Sequence, residues 1–176
     1  MSNLRLLNET TISSSVTGVN ITDIFTTDFD IYKMTVEGIS LVGGSATRID
    51  GRLINTSGSV ITSSNYDRGS LSMRTNTSFQ ELRSTSADTM FDYCPATDEA
   101  PETSSSVIYY FNPFSSSSFT YILVQGFSSL SSVSRSAKSI FALTELSSIG
   151  GVNLFSGGGD NFLSGVIRTY GLRVDT

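Results

Sequence analysis

An all-β fold, an antiparallel two-sheet sandwich, is what this sequence predicts. Period-two alternation of apolar and polar residues recurs along the chain, most clearly over 29–39 and 165–174. The apolar residues are mainly Val, Ile, Leu, Phe and Tyr, which suit a pleated, half-buried surface. Turn signals separate the alternating segments at short, fairly even spacing, with almost no helical periodicity.

Residues 1–15 open on Leu4, Leu6 and Leu7 and then turn polar, which fits an edge strand, an arm reaching a neighbouring subunit, or a loosely held terminus. Residues 16–25 read as a strand, 26–28 as a turn, and 29–41 as a long strand closed by Gly43, Gly44 and Ser45. The strand over 47–55 ends in a hairpin-type cluster at 56–59, and Val60 and Ile61 restart the chain in the opposite direction. A loop at 65–69 precedes strands near 71–74 and 79–83.

Residues 84–106 carry little strand signal and hold Asp88, Asp92, Asp98, Glu99, Glu102, Pro95 and Pro101. They read as a surface excursion with one short strand near 90–93. The strand over 107–111 is ended by Asn112, Pro113, Phe114 and the serines at 115–118. Strands follow at 119–127, 139–146 and 151–155, with a serine-rich connection at 128–136. A glycine turn at 157–161 leads to the last strand, 165–174. Roughly eight to ten short strands with no internal repeat predict a jelly-roll type of sandwich. The expected organisation is an N-terminal arm over 1–15 and one domain over 16–176.

The 176 residues suit one domain. Only 15% are charged, and Ser, Thr, Asn and Gly take the place of the usual Lys and Glu. Such a surface repels itself weakly, which suits a protein that packs against other proteins. The net charge of −5 gives no electrostatic footprint for nucleic acid. The apolar runs are too short for a transmembrane helix. The start, Met1-Ser2-Asn3-Leu4-Arg5, lacks the basic and apolar regions of a signal peptide, so synthesis and folding are expected in a cytoplasm. Cys94 is the single cysteine, which excludes an internal disulfide, and its acidic surroundings favour a structural thiol over a nucleophile.

The chain contains no histidine, which removes Ser-His-Asp and Cys-His catalysis and the commonest zinc ligand. Asp28 and Asp30 flank Phe29, and Asp98, Glu99 and Glu102 cluster on the excursion; both groups read as solvated loop charge rather than a catalytic pair. The calcium-loop pattern is missing. Gly157-Gly158-Gly159 is followed by Asp160 rather than Lys-Ser/Thr, so a hairpin turn is favoured over a phosphate cradle. Sequon matches at Asn8, Asn20, Asn55 and Asn76 are expected by accident in so Ser- and Thr-rich a chain. No catalytic, cofactor-binding or metal-binding residue is assigned, and no cofactor is expected.

The densest aromatic group is Tyr109, Tyr110, Phe111 and Phe114, close to Phe119 and Tyr121. Alternation sends Tyr109 and Phe111 to one face and Tyr110 to the other, so half belong to the core. The candidate contact residues are Leu4, Leu6, Leu7, Tyr110, Asn112 and Phe114.

FDIYKMTV at 29–36, RLINTSGSVI at 52–61 with SNYD at 64–67, YYFNPFS at 109–115 and GVIRTYGL at 165–172 together resemble segments of virion proteins of tailed phages, notably marine phages of cyanobacteria and allied hosts. Residues 29–36, FDIYKMTV, resemble a "YDxYKIxI" strand. Residues 52–61, RLINTSGSVI, with SNYD at 64–67, are similar to "RLxNSSGxVxxSxNYD". Residues 109–115, YYFNPFS, look like "IYxFNPxxSS", and residues 165–172, GVIRTYGL, resemble the closing "SGxIRxYGL". Order and spacing match over most of the chain; 1–15 and 84–106 are the least similar. The motifs also have a plain structural sense, as turns at 55–59 and 65–69 and bends at Gly165 and Gly171.

The resemblance implies a jelly-roll virion protein without catalytic residues. A capsid decoration or cement protein is expected, binding the head surface as a homo-oligomer, a trimer. The alternative is a tail fibre or spike module recognising a host surface glycan. Its partners would be itself and the major capsid protein or tail proteins, with neither nucleic acid nor membrane.

Overall fold

The computed structural model describes residues 3–42, 48–76, 79–97, 102–130 and 133–173. The expected turn at Gly43, Gly44 and Ser45 and the acidic residues Asp98 and Glu99 lie outside them. The strands are β1 (Leu4–Ile12), β2 (Gly18–Ile21), β3 (Ile31–Val42), β4 (Arg48–Asn55), β5 (Tyr66–Arg74) and β6 (Phe79–Ala87). They continue as β7 (Met90–Pro95), β8 (Ser104–Phe111), β9 (Thr120–Leu130), β10 (Val133–Leu143), β11 (Ile149–Ser156) and β12 (Asn161–Leu172).

Two antiparallel sheets form the sandwich. One has eight strands in the order β1-β12-β3-β8-β9-β10-β5-β6; the other has four, in the order β2-β11-β4-β7. The chain changes sheet at every connection except β5 to β6, β8 to β9 and β9 to β10. The hairpins β5–β6 and β9–β10 stay in the larger sheet and widen it at one side. No helix among the described residues is long and apolar enough to cross a membrane.

The two framing segments are neighbours. β12 pairs with β3 from Leu172 opposite Ile31 to Asn161 opposite Val42. Alternation sends Tyr32, Met34 and Val36 inward from β3, and they are buried with Ile108 and Tyr110 of β8 and Ile122 and Val124 of β9. The smaller sheet answers with Ile49, Leu53, Tyr93, Val152 and Leu154. Phe25 closes this end, its ring 4.8 Å from Tyr32 and 4.9 Å from Tyr110. The buried Tyr32 hydroxyl accepts from the Thr26 amide and donates to the Thr26 carbonyl, both at 2.8 Å, so its burial leaves no polar cost.

Several loop expectations are corrected. Of the readings open for 1–15, the edge strand holds over Leu4–Ile12 and the arm does not: β1 is the edge of the larger sheet and pairs antiparallel with β12 from Leu4 opposite Leu172 to Ile12 opposite Gly165. The 84–106 stretch is mostly strand; β7 is an edge of the smaller sheet, and Met90, Tyr93 and Cys94 are core. The serines at 104–106 begin β8, Ser128 and Ser129 belong to β9, and Ser134 and Ser136 belong to β10. Long ladders with apolar neighbours override the turn preference of serine. The 65–69 loop is instead the start of β5.

Gly165 and Gly171 differ in role. Gly165 has a φ of 144° at a register shift between β12 and β3, where a side chain would be strained. Gly171 makes no bend; the Phe29 ring lies where its side chain would be, with ring carbons 2.5–2.7 Å from a Cβ placed there.

Candidate functional site

The alternation that fills the core leaves a second apolar face pointing outward from the eight-stranded sheet. The pairing aligns these outward residues in rows across the strands. One row runs Leu4, Leu172, Ile31, Phe111, Tyr121 and Ala142, from β1 to β10. The next runs Leu6, Tyr170, Lys33, Tyr109, Leu123 and Ile140. A third is more polar: Glu9, Arg168, Thr35, Val107, Gln125, Lys138 and Leu71. At the β9 side a fourth row holds Phe127, Ser136, Met73 and Phe79.

Ile140 is 60% exposed, Phe127 59% and Tyr121 51%, so these large side chains stand in solvent on the isolated chain. Scattered apolar residues on a surface need no explanation, but contiguous rows of them mark a contact site. Two shallow grooves cross the face. One, of about 460 Å³, lies between Tyr109 and Phe127 over Gln125. The other, of about 570 Å³, is bordered by Phe111, Tyr121 and Ile140 over Gly69.

The outward charges balance. Lys33, Arg83, Lys138 and Arg168 stand against Glu9, Glu37, Asp67 and Glu81. Arg168 joins three strands, its Nε donating to Glu9 Oε2 at 2.7 Å and its Nη1 to Glu37 Oε2 at 2.9 Å. That fork, on an exposed surface, orients side chains more than it stabilises the fold.

A polar cluster lies at the other side of the same sheet layer. The Asp92 carboxylate on β7 accepts from Arg135 of β10 at 2.5 Å and lies 3.9 Å from the Arg68 guanidinium of β5. All three side chains are buried. Arg135 Nε also donates to Ser72 Oγ at 3.0 Å, and the Asp92 amide donates to Asp50 Oδ1 at 2.8 Å. Arg48 Nε completes the chain, donating to Asp50 at 3.1 Å. Burial raises the Asp50 carboxyl above its ordinary value against these donors, and burial lowers Arg68. The network ties β7 to the hairpin extension and so fixes the extension's attitude to the core. Its residues are satisfied chiefly by one another.

Of the sequence-predicted contact residues, Leu4 and Leu6 stand exposed at the β1 end of the outward rows. Leu7 and Phe114 are half-buried against the core. Tyr110 is corrected: it is fully buried, its hydroxyl hydrogen-bonded to Tyr93, because its β8 position points between the sheets. Asn112 is exposed with φ 54°; its amide donates to the Asp30 carbonyl and its carbonyl accepts from Ser115, so it shapes the turn after β8. Asp28 and Asp30 are exposed on the turn before β3.

Sequence reading missed Tyr121, Leu123, Phe127 and Ile140 as surface residues. The signal was present in β9, where Tyr121-Ile122-Leu123-Val124 is apolar on both faces.

Cys94 is fully buried, and desolvation pushes its thiol up to about 12. The native chain should therefore resist a thiol-specific disulfide reagent at neutral pH and react fully in denaturant. Labelling of the native fold at the rate of a free thiol would contradict that burial.

Among the described residues no group of three or more His, Cys, Asp or Glu side chains is placed to hold a metal ion. The chain matches no family model, no curated protein and no solved structure.

Proposed function

We propose that this is a virion structural protein: a capsid decoration or cement protein that binds the head surface as an oligomer and works by burying surface. The observation that carries this reading is the outward apolar face of the eight-stranded sheet, a surface suited to contact rather than to chemistry. The strand order supports the jelly-roll part of it. β1-β12-β3-β8 and β2-β11-β4-β7 are four-stranded halves in which chain neighbours sit in opposite sheets, with β5–β6 and β9–β10 as additions to one half.

The segments that resemble phage virion proteins fall on the framework. Two are the paired strands β3 and β12, and two are turns. In the turn after β4, Asn55 Oδ1 accepts from the amides of Ser57 and Ser59 at 3.1 and 2.9 Å. Such motifs preserve a fold and leave its faces free to vary. The carboxylates weighed for catalysis and found among the described residues, Asp28, Asp30 and Glu102, are solvent-exposed.

Quantitative mass spectrometry of purified particles tests this. A decoration protein should be present at a fixed ratio to the major capsid protein and be lost with the heads when heads and tails are separated. A few copies that follow the tails would replace this reading with a fibre or spike module, and absence from the particle would end both.

A further inference from the structure

We propose, resting on that functional reading, that the outward face of the eight-stranded sheet is covered by a second copy of this chain. Strands β8 and β9 carry mostly apolar residues on both faces, the pattern of strands buried on both sides. One side meets the smaller sheet. The other meets solvent in the single chain, so its cover must come from outside.

Area and charge select the occupant. Eight strands span about 34 Å, and four alternating rows about 20 Å, a flat footprint of about 700 Å². A stable protein–protein contact takes about 800 Å² from each partner, so most of this face would be consumed by one such contact. The face carries four cations and four anions, a net of zero, so the chain's −5 resides on its other surfaces. A strongly acidic or basic partner finds no handle there. An identical copy meets no net repulsion across the contact, while the acidic remainder keeps the other surfaces apart. The groove beside Tyr121 and Ile140 offers a seat for a protruding side chain of the second copy.

Sedimentation of the purified full chain tests this without any particle, so a failed virion location and a failed self-association are separate results. The native chain should sediment as a multimer of defined size. The double variant Tyr121→Asp, Ile140→Asp should raise the dissociation constant about 30-fold or more, as loss of central contact residues does. Leu146→Asp changes an equally exposed residue in the loop between β10 and β11, and should leave the multimer intact.

Hydroxyl-radical footprinting of the unmodified chain covers the case in which the double variant fails to fold. Tyr121 and Phe127 should become protected as concentration rises, with Leu146 labelled throughout. A native chain that stays monomeric at about 100 µM, far above the range of a standard-size contact, overturns the proposal. So do a folded double variant that still associates and labelling of Tyr121 that ignores concentration.

Discussion

Asp92→Asn should destabilise the fold by about 3–5 kcal/mol, the range measured when one member of a buried ion pair is removed. The substitution isolates charge. Asp92 has a φ of 56°, a conformation that Asn adopts as readily, so the backbone at the β7 irregularity need not move. Its amide can go on donating to Asp50. What disappears is the carboxylate charge paired with the buried guanidiniums of Arg68 and Arg135. Both cations are at least nine-tenths buried, so each would lose its carboxylate partner with little water to replace it. Arg68 already stands in an environment that lowers it, because burial opposes its charge and Asp92 is the largest influence in its favour.

Urea titration should show a lower midpoint with an unchanged slope, since the surface exposed on unfolding is the same. As a control, Arg52→Gln removes an exposed pair with Asp88 and should cost no more than about 1 kcal/mol. A loss below about 1 kcal/mol for Asp92→Asn would show that the cluster is hydrated in solution and its ion pairs weak. The effect would also reach the surface. The β9-β10-β5-β6 extension carries Tyr121, Leu123, Phe127 and Ile140, so freeing it from β7 should weaken self-association along with stability.

The architecture was legible in the sequence because period-two alternation is local, and each strand writes its own faces. Paired β3 and β12 were both readable for that reason, although partners lie from 119 positions apart (Val42 and Asn161) to 141 (Ile31 and Leu172). Strands rich in serine were not. Ser104 and Ser106 look like loop residues, yet they point inward from β8 opposite β9, where Gly126 leaves the room that Ser106 occupies. The buried ions were hidden in the same way. Arg135 shares the inward face of β10 with Ala137, Ser139, Phe141 and Leu143, but that alternation shows only if the strand starts before residue 139. Asp92 and Arg68 meet across the sheets, which no local pattern encodes. The outward face was half readable. Aromatic density flagged Tyr109 to Phe114, but which of two apolar faces is covered by the same chain depends on the smaller sheet's width, four strands against eight.

Deleting residues 1–15 should abolish cooperative folding rather than yield a folded protein that has lost an attachment arm. β1 supplies the outer partner of β12 from Gly165 to Leu172, so the deletion turns most of β12 into an exposed edge beside the centre of the core. Ile12 is buried and Leu7 is half-buried on the core; losing the two removes about 2–4 kcal/mol of apolar burial. That is a large share of the roughly 5–15 kcal/mol by which domains are stable. The truncated chain should therefore aggregate or unfold without a sharp transition. A soluble product with the native midpoint would restore the idea of a dispensable arm. The folding and contact roles of β1 separate cleanly in a second variant. Leu4 and Leu6 are exposed at the end of the outward rows, so Leu4→Asp, Leu6→Asp should shift unfolding by no more than about 0.5 kcal/mol per site. If the outward face is a contact, the same pair of charges should still weaken association, because they enter the rim of the apolar rows that an incoming copy must desolvate.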